Sequence, residues 1–84
     1  MRRPATGYIV TVEGRMMLLS YYRDAPKGGV LAIGYPYLNE ATVFSSKREV
    51  INAVKRTLRY AKAKGFNWPI VEDGYRTVKL FPPE

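Results

Sequence analysis

The side chains best placed to do chemistry in this sequence are basic, and they concentrate between residues 47 and 64. That segment holds seven of the 14 Lys and Arg residues against one acid, so it carries +6 of the formal net charge of +7. If it is helical, five polar positions fall in one stripe, roughly a quarter-turn from the apolar side. This basic stripe consists of Arg48, Asn52, Lys55, Arg59 and Lys62, with Arg56 beside it.

The basic stripe has two interpretations. Lys and Arg commonly solvate a helix face, and their long stems cover apolar surface. Ordinary solvated faces, however, mix both signs of charge and use Glu–Lys pairs four residues apart. A stripe with almost no acid repels itself unless something negative docks on it. The sequence therefore favours contact with an acidic protein surface, a nucleoprotein complex or nucleic acid over a purely solubilising role.

Tyrosines add a second set of candidate contacts, because protein interfaces and nucleic-acid sites both favour them. We expect Tyr8 and Tyr75 to contact a partner from the sheet. Stacking on unpaired bases would use those two together with Tyr35, Tyr37 and Trp68. No RNP, KH, zinc-finger or basic-zipper motif accompanies these rings, and no second helix precedes the basic segment as a helix-turn-helix requires.

The composition argues against most enzyme classes. The chain has no His and no Cys, which excludes imidazole acid–base chemistry, thiolate nucleophiles and Cys/His metal sites. The acids in the loops form no metal-binding pattern, and no phosphate-loop motif surrounds Gly28-Gly29, so we expect no metal and no cofactor. An RNA-cleaving toxin remains an alternative because Arg, Lys and Tyr can stabilise charge and move protons without His. Such a set would be Tyr21, Tyr22, Tyr75, Arg76 and Lys79.

A single helix must position the basic stripe. Ser46 and Glu49 form an S-x-x-E capping box, in which Ser46 accepts from the amide of Glu49 and the Glu49 side chain reaches back. Gly65 lies where a left-handed C-cap belongs, and the helix is predicted over 47–64. Its apolar side should comprise Val50, Val54, Leu58 and Ala61, with Ile51 and Thr57 at the edges. Phe66 and Trp68 should fold back onto the helix end.

The remaining segments indicate strands. Apolar, β-branched and aromatic runs bounded by turn residues predict five of them, with turns at Glu13-Gly14 and Asp73-Gly74. The predicted ranges are 8–12, 15–23, 30–35, 69–72 and 75–81. Residues 38–44 are ambiguous and are compatible with a short extended piece. The order β-β-β-α-β-β predicts an α+β domain over 1–84, with the helix on one face of an antiparallel sheet.

The second strand is apolar on both sides, with Met16 and Leu18 on one face and Met17, Leu19 and Tyr21 on the other. One helix covers one sheet face, so the opposite face, where several Tyr are expected, should meet its own loops, a partner or a second copy. The longest uncharged run is too short for a membrane span, and no apolar run follows Arg2-Arg3 as in a signal peptide. We therefore expect a cytoplasmic protein without a membrane partner.

The layout resembles the small accessory proteins of phages and other mobile elements, including single-domain anti-CRISPR proteins. The resemblance rests on the opening hairpin at 6–15, the A-x-x-F-S-S-x-x-E sequence leading into the helix at 41–49, and the closing strand at 77–80. It implies a non-enzymatic inhibitor, in the cytoplasm of the bacterial host, that occludes a surface of a CRISPR-Cas-like defence protein or nucleoprotein complex. Such proteins share no common site, so the resemblance assigns no residue.

Many inhibitors of this kind are acidic mimics of nucleic acid, whereas this chain is basic. The resemblance therefore implies that the chain covers an acidic surface of an effector subunit, or contacts bound nucleic acid, and so blocks nucleic-acid or nuclease engagement. The alternatives are a small basic DNA- or RNA-binding protein and the His-free toxin described above.

Overall fold

Four strands and one helix make up the part of the chain that the computed structural model describes, residues 7–34, 42–68 and 70–80. The strands are β1 (Gly7–Val12), β2 (Arg15–Ser20), β3 (Val30–Ile33) and β4 (Arg76–Leu80), and the helix is α1 (Lys47–Lys64). All neighbours in the sheet are antiparallel, in the order β3-β2-β1-β4. Residues of α1 join those of the strands in one core cluster, which confirms the predicted α+β fold with the helix on one face.

The turn at Glu13-Gly14 joins β1 to β2. Both residues have left-handed backbones, with φ of 51° and 78°. Two consecutive positive φ values match the twist of the flanking strands, which is why such tight turns favour Gly. The hairpin pairs Val12 with Arg15 and Thr11 with Met16.

Beyond that pairing, the segment 42–44 bonds to both strands of the hairpin. Tyr8 and Phe44 exchange backbone hydrogen bonds of 2.7 Å in both directions. On the other strand, the backbone of Thr42 donates to the Met17 carbonyl, and its hydroxyl accepts from the Leu19 amide at 2.6 Å. The extended piece expected around 38–44 is therefore present at 42–44. Residues 38–41 lie outside the described residues.

The closing segment differs from the prediction. Residues 70–72 form no strand, because the Gly74 amide donates to the Val71 carbonyl and closes a turn within 71–74. Ile70 is instead buried in the core, and β4 pairs with β1 rather than with a hairpin partner. The described order is thus β-β-β-α-β, one strand fewer than expected. β2 and β3 are also shorter than predicted, ending at Ser20 and Ile33.

The helix has the predicted bounds and caps. Ser46 accepts from the Glu49 amide at 3.2 Å, and Gly65, with φ of 72°, donates its amide to the Ala61 carbonyl. The second half of the capping box is displaced by one residue. The Glu49 carboxylate accepts from the amide and the hydroxyl of Ser45, which offers two donors where the Ser46 backbone would offer one.

The buried side of α1 is rotated relative to the prediction. Leu58 is only half-buried and Ile51 is 43 % exposed, whereas Thr57 and Tyr60 are buried. The fully buried positions are Val50, Ala53, Val54, Thr57, Tyr60 and Ala61. At 100° per residue their centre lies about 50° from the predicted apolar side. Two polar side chains face inward because each has a partner there.

Thr57 and Trp68 join the helix region to the edge strand β3. The buried Thr57 hydroxyl accepts from the Leu31 amide and donates to the Ala53 carbonyl, both at 2.7 Å. The Trp68 indole nitrogen donates to the Leu31 carbonyl, also at 2.7 Å. An exposed edge strand offers unpaired backbone groups to other chains, and here both groups of Leu31 are occupied.

We expect Thr57→Val to destabilise the protein by about 1–3 kcal/mol, because the buried Leu31 amide loses its acceptor. Thr57→Ser is the matched control, since it keeps the hydroxyl and loses one methyl group, about 0.8 kcal/mol. Urea denaturation followed by circular dichroism measures both. A serine variant as unstable as the valine variant would contradict the role of the hydroxyl.

Candidate partner-binding site

The basic stripe lies on the outermost face of α1. Its five residues are all exposed, and on the helical projection they lie about 180° from the centre of the buried side. This is further from the core than the quarter-turn expected. From Arg48 to Lys62 the stripe extends about 21 Å along the axis, at 1.5 Å per residue. The helix therefore presents Arg48, Asn52, Lys55, Arg59 and Lys62 as one row facing solvent.

The four cations of the stripe have no carboxylate partner within the described residues. There, the single ion pair joins Lys64 to Asp24, away from the stripe. The Glu49 carboxylate, the one acid of the helix, is engaged by Ser45. The positive charge of the outer face is thus not neutralised by the described part of the fold.

Arg56, which was predicted to border the stripe, holds a loop of its own chain. It is half-buried, and its Nε and Nη2 atoms donate to the carbonyls of Gly29 and Gly28 at 2.6 and 2.9 Å. Gly29 has φ of 76°, and a Cβ there would lie 2.8 Å from the Ser20 carbonyl oxygen, so the loop requires glycine. The guanidinium of Arg56 is committed to fastening the β2–β3 connection onto α1.

The two tyrosines expected to contact a partner lie on the helix side of the sheet. Tyr8 and Tyr75 are half-buried against the core cluster, so neither adds to an aromatic surface on the opposite face. The Nζ atom of Lys47 lies 6.0 Å from the centre of the Tyr8 ring, within range of a cation–π contact. Tyr35 and Tyr37 lie outside the described residues. The structure thus brings the stripe residues together and leaves Tyr8 and Tyr75 as separate, partly buried contacts.

Sequence reasoning missed an aromatic pocket at the C-terminal end of α1. Phe66 and Trp68 fold back onto the helix end as predicted, and their rings stack at 5.4 Å between centroids. Tyr60 packs against both, and Tyr22, which follows β2, meets the Trp68 ring edge-on at 6.1 Å. The pocket encloses about 430 Å³ and is lined by Tyr22, Arg23, Asp24, Tyr60, Phe66 and Trp68.

Part of this pocket could be read from the sequence, and part could not. The aromatic residues directly after the Gly65 C-cap are the local signal, because a left-handed cap turns the chain back toward the helix. Tyr22 and Arg23 come from a connection more than 35 residues earlier and carry no signal of their own.

Asp24 connects the loop after β2 to the end of α1. Its carboxylate pairs with Lys64 and accepts from the Tyr60 hydroxyl at 3.0 Å. The bond from Lys64, and after it the bond from Tyr60, lower the pKa of Asp24 below its ordinary value. The same carboxylate raises the pKa of Lys64. The charged form of the pair is therefore favoured in the folded protein.

The candidate catalytic residues lie on different parts of the described fold. Across residues 7–34, 42–68 and 70–80, no three His, Cys, Asp or Glu side chains lie close enough to hold a metal. Tyr21 and Tyr22 follow the end of β2, whereas Arg76 pairs with Thr11 beside the turn at the start of β2. Tyr21 and Tyr22 are thus separated from Arg76 by about the length of β2, roughly 17 Å at 3.3 Å per residue. Lys79 pairs with Tyr8, three residues along β4 from Arg76. No helix in the same ranges has the length and apolarity needed to cross a membrane.

We expect Asp24→Asn to be less stable than the parent protein at neutral pH, with a difference that shrinks as the solution is acidified. A carboxyl with a lowered pKa stabilises the fold above its ordinary pKa, and that contribution is lost as pH falls through the folded-state value, below about pH 4. Thermal melts between pH 7 and pH 2.5 measure the gap. The control is Asp73→Asn, which removes an exposed acid without a described ion pair. A gap that stays constant with pH would contradict the pairing.

Comparison of the chain with protein-family models, with curated proteins and with solved structures finds no match.

Proposed function

We propose that this chain is a small, non-catalytic binding protein that lays the outer face of α1 on an acidic surface of a host protein or nucleoprotein complex. By covering that surface it blocks nucleic-acid or nuclease engagement. The observation that carries the proposal is the row of four cations, Arg48, Lys55, Arg59 and Lys62, with no carboxylate opposite them in the described residues. The basic stripe is available to a partner because the opposite side of α1 provides the core.

The arrangement of the stripe costs the isolated protein some stability. Lys55 and Arg59 are four residues apart, and Arg59 and Lys62 are three apart, so each pair repels by about 0.2–0.5 kcal/mol. The carboxylates of an acidic partner would offset this repulsion by attracting the same cations. Charge complementarity of this kind mainly speeds association and selects the partner.

The helix also presents these charges in a fixed arrangement. Caps at Ser46 and Gly65 and a buried side of six residues hold α1 in place. Little backbone conformational freedom is lost when a partner docks on such an element. Affinity is therefore higher than for a flexible basic segment. The resemblance to phage anti-defence proteins supports a CRISPR-Cas-like effector as the class of complex, and the sign of the charge supports an acidic surface on it.

The test is the pair of charge reversals Arg59→Glu with Lys62→Glu, compared with Arg15→Glu with Lys27→Glu. Each pair replaces one Arg and one Lys at exposed positions and lowers the net charge from +7 to +3, since each reversal removes two charges. Captures from a bacterial lysate at 150 mM salt, with and without nuclease, are compared by mass spectrometry. We expect the stripe variant to capture at least ten-fold less of the partner protein that is captured specifically in the presence of nuclease. The control pair should capture as much as the parent protein.

The outcomes distinguish three possible roles of the stripe, which are solvation of the helix, binding of a protein and binding of nucleic acid. Equal capture by both double variants would show that the stripe only solvates the helix. Capture that disappears with nuclease would show that the target is nucleic acid and not a protein. Circular dichroism of each variant confirms that the fold is retained.

A second candidate function, direct binding of nucleic acid, is favoured by one observation. The stripe extends about 21 Å as a row of four cations without a carboxylate partner in the described residues, an arrangement suited to a nucleic-acid backbone. Four phosphate contacts on a single strand predict a slope of about −3 in log affinity against log salt concentration. The Arg59 and Lys62 reversals should halve that slope. Gel shifts with 20-nucleotide DNA and RNA measure it, and no binding at 50 mM salt would remove this candidate.

A further inference from the structure

The aromatic pocket exposes more apolar ring surface than the fold itself needs. Phe66 is 49 % exposed and Tyr22 is 44 % exposed, although both contact buried or half-buried rings. Exposed aromatic side chains grouped around a recess are typical of interaction sites, whereas single exposed apolar residues are ordinary. The pocket therefore has the properties of a binding site in addition to those of a helix end.

The polar atoms of the rings are already used inside the protein. The Trp68 indole nitrogen donates to the Leu31 carbonyl at 2.7 Å, and the Tyr60 hydroxyl donates to Asp24. Asp24 in turn is paired with Lys64. These bonds fix the rings before any ligand arrives. They also engage two of the polar groups that line the pocket.

The volume and charge of the pocket indicate which class of ligand it can hold. A volume of about 430 Å³ lies within the range of ligand sites and has room for one large side chain. Arg23 lines the pocket, is exposed, and has no carboxylate partner among the described residues. Asp24, the acid in the lining, is neutralised by Lys64. The surroundings of an apolar anchor would thus be positive.

We propose that the aromatic pocket receives one large apolar side chain from an acidic segment of the partner. The anchor lies among Tyr22, Phe66 and Trp68, while a carboxylate next to it contacts Arg23. This inference rests on the proposed function, because the same partner supplies both the carboxylates and the anchor. Interfaces concentrate their binding energy in such ring-lined pockets, with charged residues around them.

The test is selection of a displayed library of random 12-residue peptides on the immobilised protein. We expect the enriched peptides to carry one Leu, Met, Phe or Trp flanked by Asp and Glu. Selection on Phe66→Ser, or on Tyr22→Ser should the first variant lose its fold, should enrich acidic peptides without the anchor. Selection on Arg23→Glu should keep the anchor and lose the acids. Tyr21→Ser is the matched control, because Tyr21 is 70 % exposed and lies outside the pocket lining.

The chain contains one tryptophan, Trp68, so its emission reports on the pocket directly. The most enriched peptide carrying Leu, Met or Phe is synthesised and titrated while this emission is followed. We expect a shifted emission, at least ten-fold weaker binding by Phe66→Ser and less than a two-fold change in Tyr21→Ser. Replacing the anchor by Ser in the peptide should weaken binding to the same extent as the Phe66 change.

Several results would overturn the inference, and they are distinguishable from failure of the proposed function. Acidic peptides enriched without an anchor would leave the stripe intact and remove the pocket. An anchor enriched without acids would overturn the acidic segment, whereas the proposed function is tested separately by the capture experiment with the Arg59 and Lys62 reversals. No enrichment above the Phe66→Ser background would also count against the pocket. Quenching of Trp68 by a 20-nucleotide poly-dT strand, lost in Phe66→Ser, would assign the pocket to base stacking instead.

Discussion

The position of α1 on the sheet depends on the two backbone groups of one residue, Leu31. Its amide donates to Thr57 within the helix, and its carbonyl accepts from Trp68 just after it. Leu31 is itself fully buried on the edge strand β3. Because an unsatisfied buried amide costs about 1–3 kcal/mol, a rotation of the helix that moves Thr57 away from Leu31 is penalised. The hydrophobic contacts alone would be less selective, since apolar attraction has no direction.

That constraint determines which side chains of the helix face solvent. Lys55 and Arg59 lie two residues on either side of Thr57, so at 100° per residue each points about 160° away from it. Directing Thr57 toward Leu31 therefore directs these cations outward. A helix rotated to bury Leu58 and Ile51 fully would carry the basic stripe toward one side. The hydrogen bond between Thr57 and the edge strand therefore also determines that the positive charge of α1 faces solvent.

Local signals account for what the sequence predicted correctly. Ser46, Gly65 and the turn at Glu13-Gly14 act within four residues of themselves, and the helix bounds and the first hairpin follow from them. The errors involve partners distant in sequence. Thr57 is buried because it bonds to Leu31, 26 residues away in sequence. Arg56 leaves the stripe because it bonds to Gly28, 28 residues away.

The same distinction applies to the closing segment. Ile70, whose β-branched side chain favours a strand by propensity, contributes to the core instead, and the turn at 71–74 closes without a paired strand before it. In the binding that we propose, the basic stripe and the aromatic pocket have separate roles. Long-range attraction to the stripe governs how often an acidic partner arrives, and the depth of a buried anchor governs how long it stays. Because Trp68 both bonds to Leu31 and lines the pocket, its loss would affect fold and site together, whereas Phe66 and Tyr22 act at the site without contacting Leu31 through a hydrogen bond.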